Sequence, residues 1–375
     1  MINRNRLADV FKTLAEIDSE SRNEKAIAEK IVSLSKELGG RPVFDKSASK
    51  TGSNTGNLVI KFNGNVDAPP LLLSAHMDTV QPGNGVKVIL KDGRFTSDGT
   101  TVLGADDKSA IAIILEALSV VRENNLPCCP VELVLTTCEE LGLKGAKNLD
   151  FSLISATYGY VLDTSDTSAI VTRAPSANRI KFQVHGKSAH AGIAPEDGVN
   201  AIAIAAKAIS AMELGRIDNE TTCNIGVIEG GVAINIVPEY VEVHGEVRSH
   251  NSQTLDDVTD KMVAAFQQAV DSEDGEPELD VTVENDFPLT HIPEDHLITR
   301  MVLKASENLG RSMSLKTSGG GADANIFFEK GIHTIVLGTG MTDMHTVRES
   351  ICLSDMVMST ELLLELIKLH SQKDS

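Results

Sequence analysis

The sequence predicts a discontinuous α/β domain with helices on both faces of a mixed sheet, interrupted by an inserted α+β domain of ferredoxin-like order. Three observations carry that expectation. Short, nearly continuous apolar runs alternate with helical stretches in the first half of the chain, the pattern of strands buried on both faces. From about residue 178 the order becomes β-α-β-β-α-β. From residue 295 helix and apolar strand alternate again, so the first pattern resumes once the second has closed.

Helical periodicity covers 5–17 and 22–38, and strand-like runs follow at 57–62 (NLVIKF), 70–75 (PLLLSA) and 86–90 (VKVIL). A long apolar helix pattern occupies about 108–122, then strands at 131–137 and 158–163. In the insert, RIKFQVHG reads as a strand and GVNAIAIAAKAISAM as a helix. TCNIGVIEGG and EYVEVHGEVRS read as strands, TLDDVTDKMVAAFQQAV as a helix and ELDVTVEND as the last strand. The expected boundaries are 1–176 and 288–375 for the discontinuous domain and 177–287 for the insert.

Composition narrows the function. The 375 residues leave room for two domains, and 41% hydrophobic content supplies an ordinary core. Aromatic residues are only 3% and Trp is absent, which argues against base stacking. A net charge of −19, from 34 basic and 53 acidic residues, repels phosphate backbones and anionic membranes. No nucleic-acid or membrane partner is therefore expected. The five cysteines are an odd number with no C-x-x-C pair, and the amphipathic N-terminus lacks the apolar centre of a signal peptide. The longest apolar run, AIAIILEALSVV, is broken by Glu116 and too short to span a bilayer. A soluble cytoplasmic protein is expected.

The candidate chemistry begins at LLLSAHMDTV, where His76 and Asp78 follow a buried strand and point the same way on an extended chain. Asp106 and Asp107 stand directly before the 108–122 helix, Glu139 and Glu140 follow the 131–137 strand, Asp163 ends the next, and His345 lies in a loop after HTIVLG. Each piece alone also suits a structural role: aspartates capping a helix, a solvated acidic turn, a lone loop histidine. Together they fall at the ends of predicted strands, where open α/β sheets bind ligands. Carboxylates converging there repel one another and need a compensating cation. Imidazole with carboxylate suits zinc or a similar transition metal.

The stretches SAHMDTV, GADDKSA, TCEELGLKGA, VLD and MHTVRE, in this order, resemble the dinuclear zinc exopeptidases related to peptidase T and carboxypeptidase G. The wording DGTTVLGADDK and HTVRE is most similar to peptidase T-like proteins. The resemblance implies a zinc-exopeptidase catalytic domain, with the insert serving as lid and dimerisation domain. It implies two zinc ions, with cobalt or manganese as substitutes. His76 and Asp163 would bind one ion, His345 and Glu140 the other, and Asp106 both. Asp78 would hold His76 in its tautomer, Glu139 would be the general base, and the Asp106–Asp107 peptide would be cis. In the insert, His190 would reach a substrate carbonyl, often across a homodimer interface, and Asn235 and Arg248 would bind substrate carboxylate or carbonyl groups. The glycine run SGGGADANIF would line the pocket before a helix N-terminus, but no Lys-Ser/Thr pair follows it as in a phosphate loop.

The expected function is therefore a dinuclear-metal aminopeptidase acting on short peptides. The alternatives are an N-acyl amino acid amidohydrolase of the same architecture and a non-catalytic metal-binding protein. Glu139 weighs against the latter, since metal binding alone would not require it. The scarcity of clustered Lys and Arg weighs against phosphoesterase chemistry.

Overall fold

A computed structural model describes residues 1–372 of the chain. These residues form two compact units. One comprises Met1–Arg173, Thr290–Ser318 and the described residues from Ala322 onward; the other comprises Ala174–Leu289 with Gly319–Gly321.

In the first unit the strand order among the described residues is Arg41–Phe44, Leu58–Phe62, Val131–Thr136, Leu71–His76, Tyr158–Thr164, His333–Gly338, Ala169–Ala174 and Thr290–His291. Ser314–Thr317 also pairs with Ala169–Ala174. The four strands from Val131–Thr136 to His333–Gly338 run parallel, so Thr136, His76, Thr164 and Gly338 end at one edge. Leu58–Phe62 runs antiparallel to its neighbour, which makes the sheet mixed.

Alternate side chains of these strands enter two different cores. Leu71, Leu73, Leu133, Leu135, Tyr160 and Leu162 pack with Leu7, Phe11, Ile111 and Leu363, from the helices Arg4–Ala15, Ala105–Glu123 and Leu353–His370. Leu72, Val134, Val161 and Val336 pack on the opposite face with Ala324 and Phe327 of the Asp323–Glu329 helix. Helices on both faces explain why the strands read as unbroken apolar runs.

The VKVIL strand expected at 86–90 is a correction. Only Ile89–Lys91 is strand, and it belongs to a separate small antiparallel sheet with Arg94–Thr96, Ser350–Cys352 and Met341–Thr342. The reason is the turn that follows. Asp92 and Gly93 both have positive φ, 52° and 79°, and fold the chain back so that Lys91 faces Arg94. Asp-Gly is a strong hairpin signal. This small sheet matters for function because its Met341–Thr342 and Ser350–Cys352 strands pair antiparallel and hold the His345 loop between them.

The second unit is an antiparallel sheet ordered Gly215–Arg216, Thr221–Gly230, Tyr240–Ser249, Ser176–His185, Glu278–Phe287. That spatial order, with the helices Ala201–Ser210 and Ser252–Asp271, is the ferredoxin-like arrangement. Ile180, Phe182, Val184, Val241, Val243 and Val247 point toward the helices, and Phe182 stacks on Phe266 at 3.9 Å between ring centres. Both helices start where an asparagine caps them: Asn200 accepts from the Ala203 N–H and Asn251 from the Thr254 N–H. No helix among the described residues is long and apolar enough to cross a membrane.

Candidate metal centre

The parallel strands deliver their polar ends to one edge of the first unit's sheet. His76 closes the Leu71–His76 strand and is 2% exposed. Its Nδ1 lies 2.9 Å from the Asp78 main-chain oxygen and 3.5 Å from the Asp78 carboxylate. A carbonyl oxygen only accepts, so Nδ1 carries the proton and Nε2 turns toward the site. The tautomer is thus held by Asp78, through its main chain more closely than through its side chain.

The Asp78 carboxylate has other partners. It accepts from the N–H groups of Glu139 at 2.9 Å and Glu140 at 3.2 Å, and from the Ser21 hydroxyl at 2.6 Å. The buried Glu24 carboxylate accepts from the N–H of Cys138 at 2.9 Å, whose φ of 52° starts the turn. Two buried carboxylates therefore fix the segment that presents Glu139 and Glu140. Ser21 and Glu24 were not foreseen, and no local pattern marks either one.

Asp106 sits at the centre. Its Oδ1 is 3.0 Å from His76 Nε2, and its Oδ2 is 3.2 Å from His345 Nε2. His345 Nε2 is also 2.9 Å from Glu140 Oε1. The Asp106–Asp107 peptide is cis, and the regular helix begins only at Lys108. His76, Asp106 and Glu140 offer ligand atoms within 4.8 Å of one another, and so do His76, Asp107 and Asp163. Asp107 was read from the sequence only as a residue before the helix, and the structure adds it to the donor set.

The electrostatics are those of a cation-binding site. Burial, reinforced by Asp163, Asp323 and Glu140 and opposed by His76, pushes Glu139 well above the ordinary carboxylate range. Burial and the Asp106 charge do the same to Asp163. Burial disfavours charge on His76, yet Asp106 and Asp78 outweigh it and raise its pKa. Asp106 and Glu140 lift His345 to about 10. Burial opposes ionisation of Asp106, but His345 and His76 hold its carboxyl below the usual range. Protons shared with imidazoles thus stand where a positive charge is needed.

Orphaned oxygens support the fit of a metal. The Oδ1 atoms of Asp107 and Asp323 are buried without a hydrogen-bond partner among the described residues. Asp323 starts its helix after the glycine run, accepts from the Thr136 hydroxyl through Oδ2, and is lifted by burial to about 6. The residue that follows this run thus puts a further carboxylate beside the cluster. Two imidazoles with carboxylates from Asp106, Asp107, Glu140 and Asp163 form a nitrogen–oxygen donor set suited to zinc-like divalent ions.

The three residues expected to touch substrate lie in the second unit, and the structure does not gather them into one cluster. His190 bridges Ile236 through the main chain, the Ala191 N–H donates to the Asn235 carbonyl at 3.0 Å, and the His190 and Asn235 side chains are exposed. Arg248 is engaged: Nε and Nη2 donate to Glu246 at 3.1 and 3.0 Å, and Nη1 donates to the Gly319 carbonyl at 3.2 Å.

Comparisons with known proteins show which families the chain resembles. Residues 175–274 match a peptidase dimerisation domain, and residues 57–158 match peptidase family M28. The aminopeptidase PepT of Bacillus cereus is 39% identical, with a TM-score of 0.91 over 99% of this chain and 100% of that one. A tripeptidase of Staphylococcus aureus is 38% identical, with a TM-score of 0.94 over 100% of both chains. Peptidase T of Fusobacterium nucleatum is 26% identical over 286 residues, 74% of this chain and 68% of that protein.

Proposed function

Because this chain belongs to the peptidase T-like family of metal-dependent exopeptidases, we propose that it is a two-metal aminopeptidase releasing N-terminal residues from short peptides in the cytoplasm. The observation that carries the reading is Asp106, whose two carboxylate oxygens face two different imidazoles, as a bridging ligand requires. In this proposal His76 and Asp163 would hold one zinc ion, His345 and Glu140 would hold the other, and Asp106 would serve both, with cobalt or manganese as substitutes. Such ions, when bound, polarise a scissile carbonyl and acidify water.

Glu139 is the general base in this reading. It takes the proton of the attacking water and returns it to the departing amine. Its crowded setting among other carboxylates suits the task, because a carboxylate of raised pKa holds a proton more readily than an ordinary one. Asp78 acts through other residues, orienting His76 and fixing the Glu139 segment.

The insert supplies substrate contacts and the dimer. His190 and Asn235 present exposed polar groups, and Arg248 takes a substrate carboxylate in exchange for Glu246. The outer edge of the Thr221–Gly230 strand pairs only at Thr222 and Cys223 among the described residues. Beyond that pairing Val227, Ile228, Val232 and Ile234 are exposed, the last two at 86% and 104%. An unpaired edge flanked by apolar side chains supports a symmetric contact between two copies. Sedimentation as a monomer at micromolar concentration removes the dimer from the proposal. The unpaired cysteines among the described residues accord with a reducing compartment.

The deciding experiment is a hydrolysis screen of zinc-loaded protein. Di- and tripeptides with free N-termini are set against the same peptides N-acetylated and against N-acyl amino acids. Cleavage of the free peptides alone is expected. A higher kcat/KM on N-acyl amino acids overturns the aminopeptidase reading in favour of an amidohydrolase.

A further inference from the structure

Glu349 lies four residues after His345 on the same loop and is 2% exposed. Its carboxylate takes three main-chain hydrogen bonds from a segment more than 240 residues earlier. Oε2 accepts from the Leu103 N–H at 2.7 Å and the Gly104 N–H at 2.8 Å, and Oε1 accepts from the Asp106 N–H at 2.9 Å. Gly104 turns the chain there with φ of 75°, a conformation that suits glycine, and a Cβ at that position would press on the Thr79 methyl at 3.2 Å. Both carboxylate oxygens are occupied, and all three donors belong to the four-residue turn that delivers Asp106.

One further group fixes the same turn from beneath. Lys108, fully buried, donates from Nζ to the Ile17 carbonyl at 2.7 Å. The turn is therefore held from below by Lys108 and from the His345 side by Glu349. Glu349 ties the main chain of this turn to the loop carrying the other histidine.

We infer that Glu349 is a positioning residue that sets the distance between Asp106 and His345, and so the affinity of the metal held on the His345–Glu140 side. The inference rests on the two-metal reading above. Glu349 touches neither imidazole nor substrate; it acts by making the Asp106 turn and the His345 loop one rigid piece. The His345 side chain is half exposed, so packing around it does little to confine it. Residues that orient metal ligands typically contribute 10- to 100-fold in affinity or activity. Glu349→Gln keeps the shape but replaces one acceptor with an amide N–H₂ that faces N–H donors. The register between the two loops is then lost without removing a ligand.

The test measures metal affinity directly, by competition with a chromophoric chelator and by elemental analysis after dialysis at fixed free zinc. Glu116→Gln is the control, because Glu116 is an equally buried carboxylate that accepts from the Asn3 N–H at 2.7 Å and pairs with Arg6, away from the site. The expected result is two zinc ions per chain for wild type and Glu116→Gln. Glu349→Gln should hold one over a free-zinc range in which wild type holds two, with the weaker site shifted about 10- to 100-fold. At saturating zinc its kcat should return to within a few-fold of wild type with KM unchanged. Glu349→Asp keeps the charge on a shorter stem and should fall between the two, which also covers failure of Glu349→Gln to fold. Wild-type zinc affinity in Glu349→Asp or Glu349→Gln overturns the inference and leaves the two-metal reading standing. A wild-type protein that binds no zinc overturns both.

Discussion

The two ends of the parallel strands in the same mixed sheet bury a histidine each, and the two histidines are driven in opposite directions. His76 ends one strand at the carboxylate-rich edge, is 2% exposed, and has a raised pKa. His370 closes the last helix, is 4% exposed, and has a pKa lowered to about 4. Its neighbours are Tyr160, whose hydroxyl lies 2.9 Å from Nε2, and Tyr158, stacked at 5.0 Å. Burial lowers both imidazoles, since it disfavours charge. At the first edge Asp106 and Asp78 reverse that effect; around His370 the partners among the described residues are phenols, and no carboxylate of those residues intervenes. Burial therefore says little about a histidine's role, and the charge of its neighbours says most of it.

The comparison breaks most completely if the carboxylates at the His76 edge are not there for a cation. Asp106→Ala removes the one carboxylate that faces both imidazoles. Metal content should fall from two ions per chain and hydrolysis should disappear, with chelation of wild type giving the same loss and zinc restoring it. Full two-metal occupancy in Asp106→Ala, by elemental analysis, would remove the bridging assignment.

A smaller effect separates chemistry from binding at the same edge. Glu139→Gln keeps size and removes the base, so both metals should remain while kcat falls roughly 100- to 10,000-fold. Retention of more than about a tenth of wild-type kcat, against the 100-fold minimum expected of a general base, assigns the proton transfer to another group.

Much of this contrast was legible before the fold was known. His76, Asp106, Glu140, Asp163 and His345 each follow or precede an apolar run; the parallel register brings the strand ends at His76, Glu140 and Asp163 to one edge, and Asp106 and His345 meet His76 and Glu140 there. Strand periodicity, read with the rule that such sheets bind ligands at their carboxyl ends, grouped them as one candidate site, and the family resemblance supplied their roles. The VKVIL strand was misplaced because apolar content was weighed above the Asp-Gly turn that redirects it. Glu24, Ser21 and Glu349 escaped notice for a different reason. Each acts by accepting or donating one or more hydrogen bonds across long sequence separations, and a single polar residue in a helix or loop carries no periodic mark of such a partner. Asp323 was hidden behind the glycines that precede it. The tyrosine–histidine group left no sign either, because its members are 210 residues apart.

The smallest expected effect lies at His370 and concerns stability alone. An unfolded histidine titrates near 6.5, and in the folded chain burial lowers His370 to about 4. Between those values the unfolded chain binds a proton that the folded chain does not, so stability rises with pH across that window. The contribution is fully present above pH ~6.5 and is lost as pH falls toward ~4, a total of about 3 kcal/mol from roughly 2.5 pKa units. His370→Gln keeps a polar group beside the Tyr160 hydroxyl but cannot titrate. Its unfolding free energy should lose about one proton's worth of slope relative to wild type between pH 4 and 6.5, while activity at saturating zinc stays unchanged. The carboxylates at the His76 edge titrate in both proteins and cancel in the difference. Equal slopes, or an imidazole resonance for His370 that titrates at or above 6, would mean that a charge reaches this histidine after all, and the contrast between the two buried imidazoles would fail.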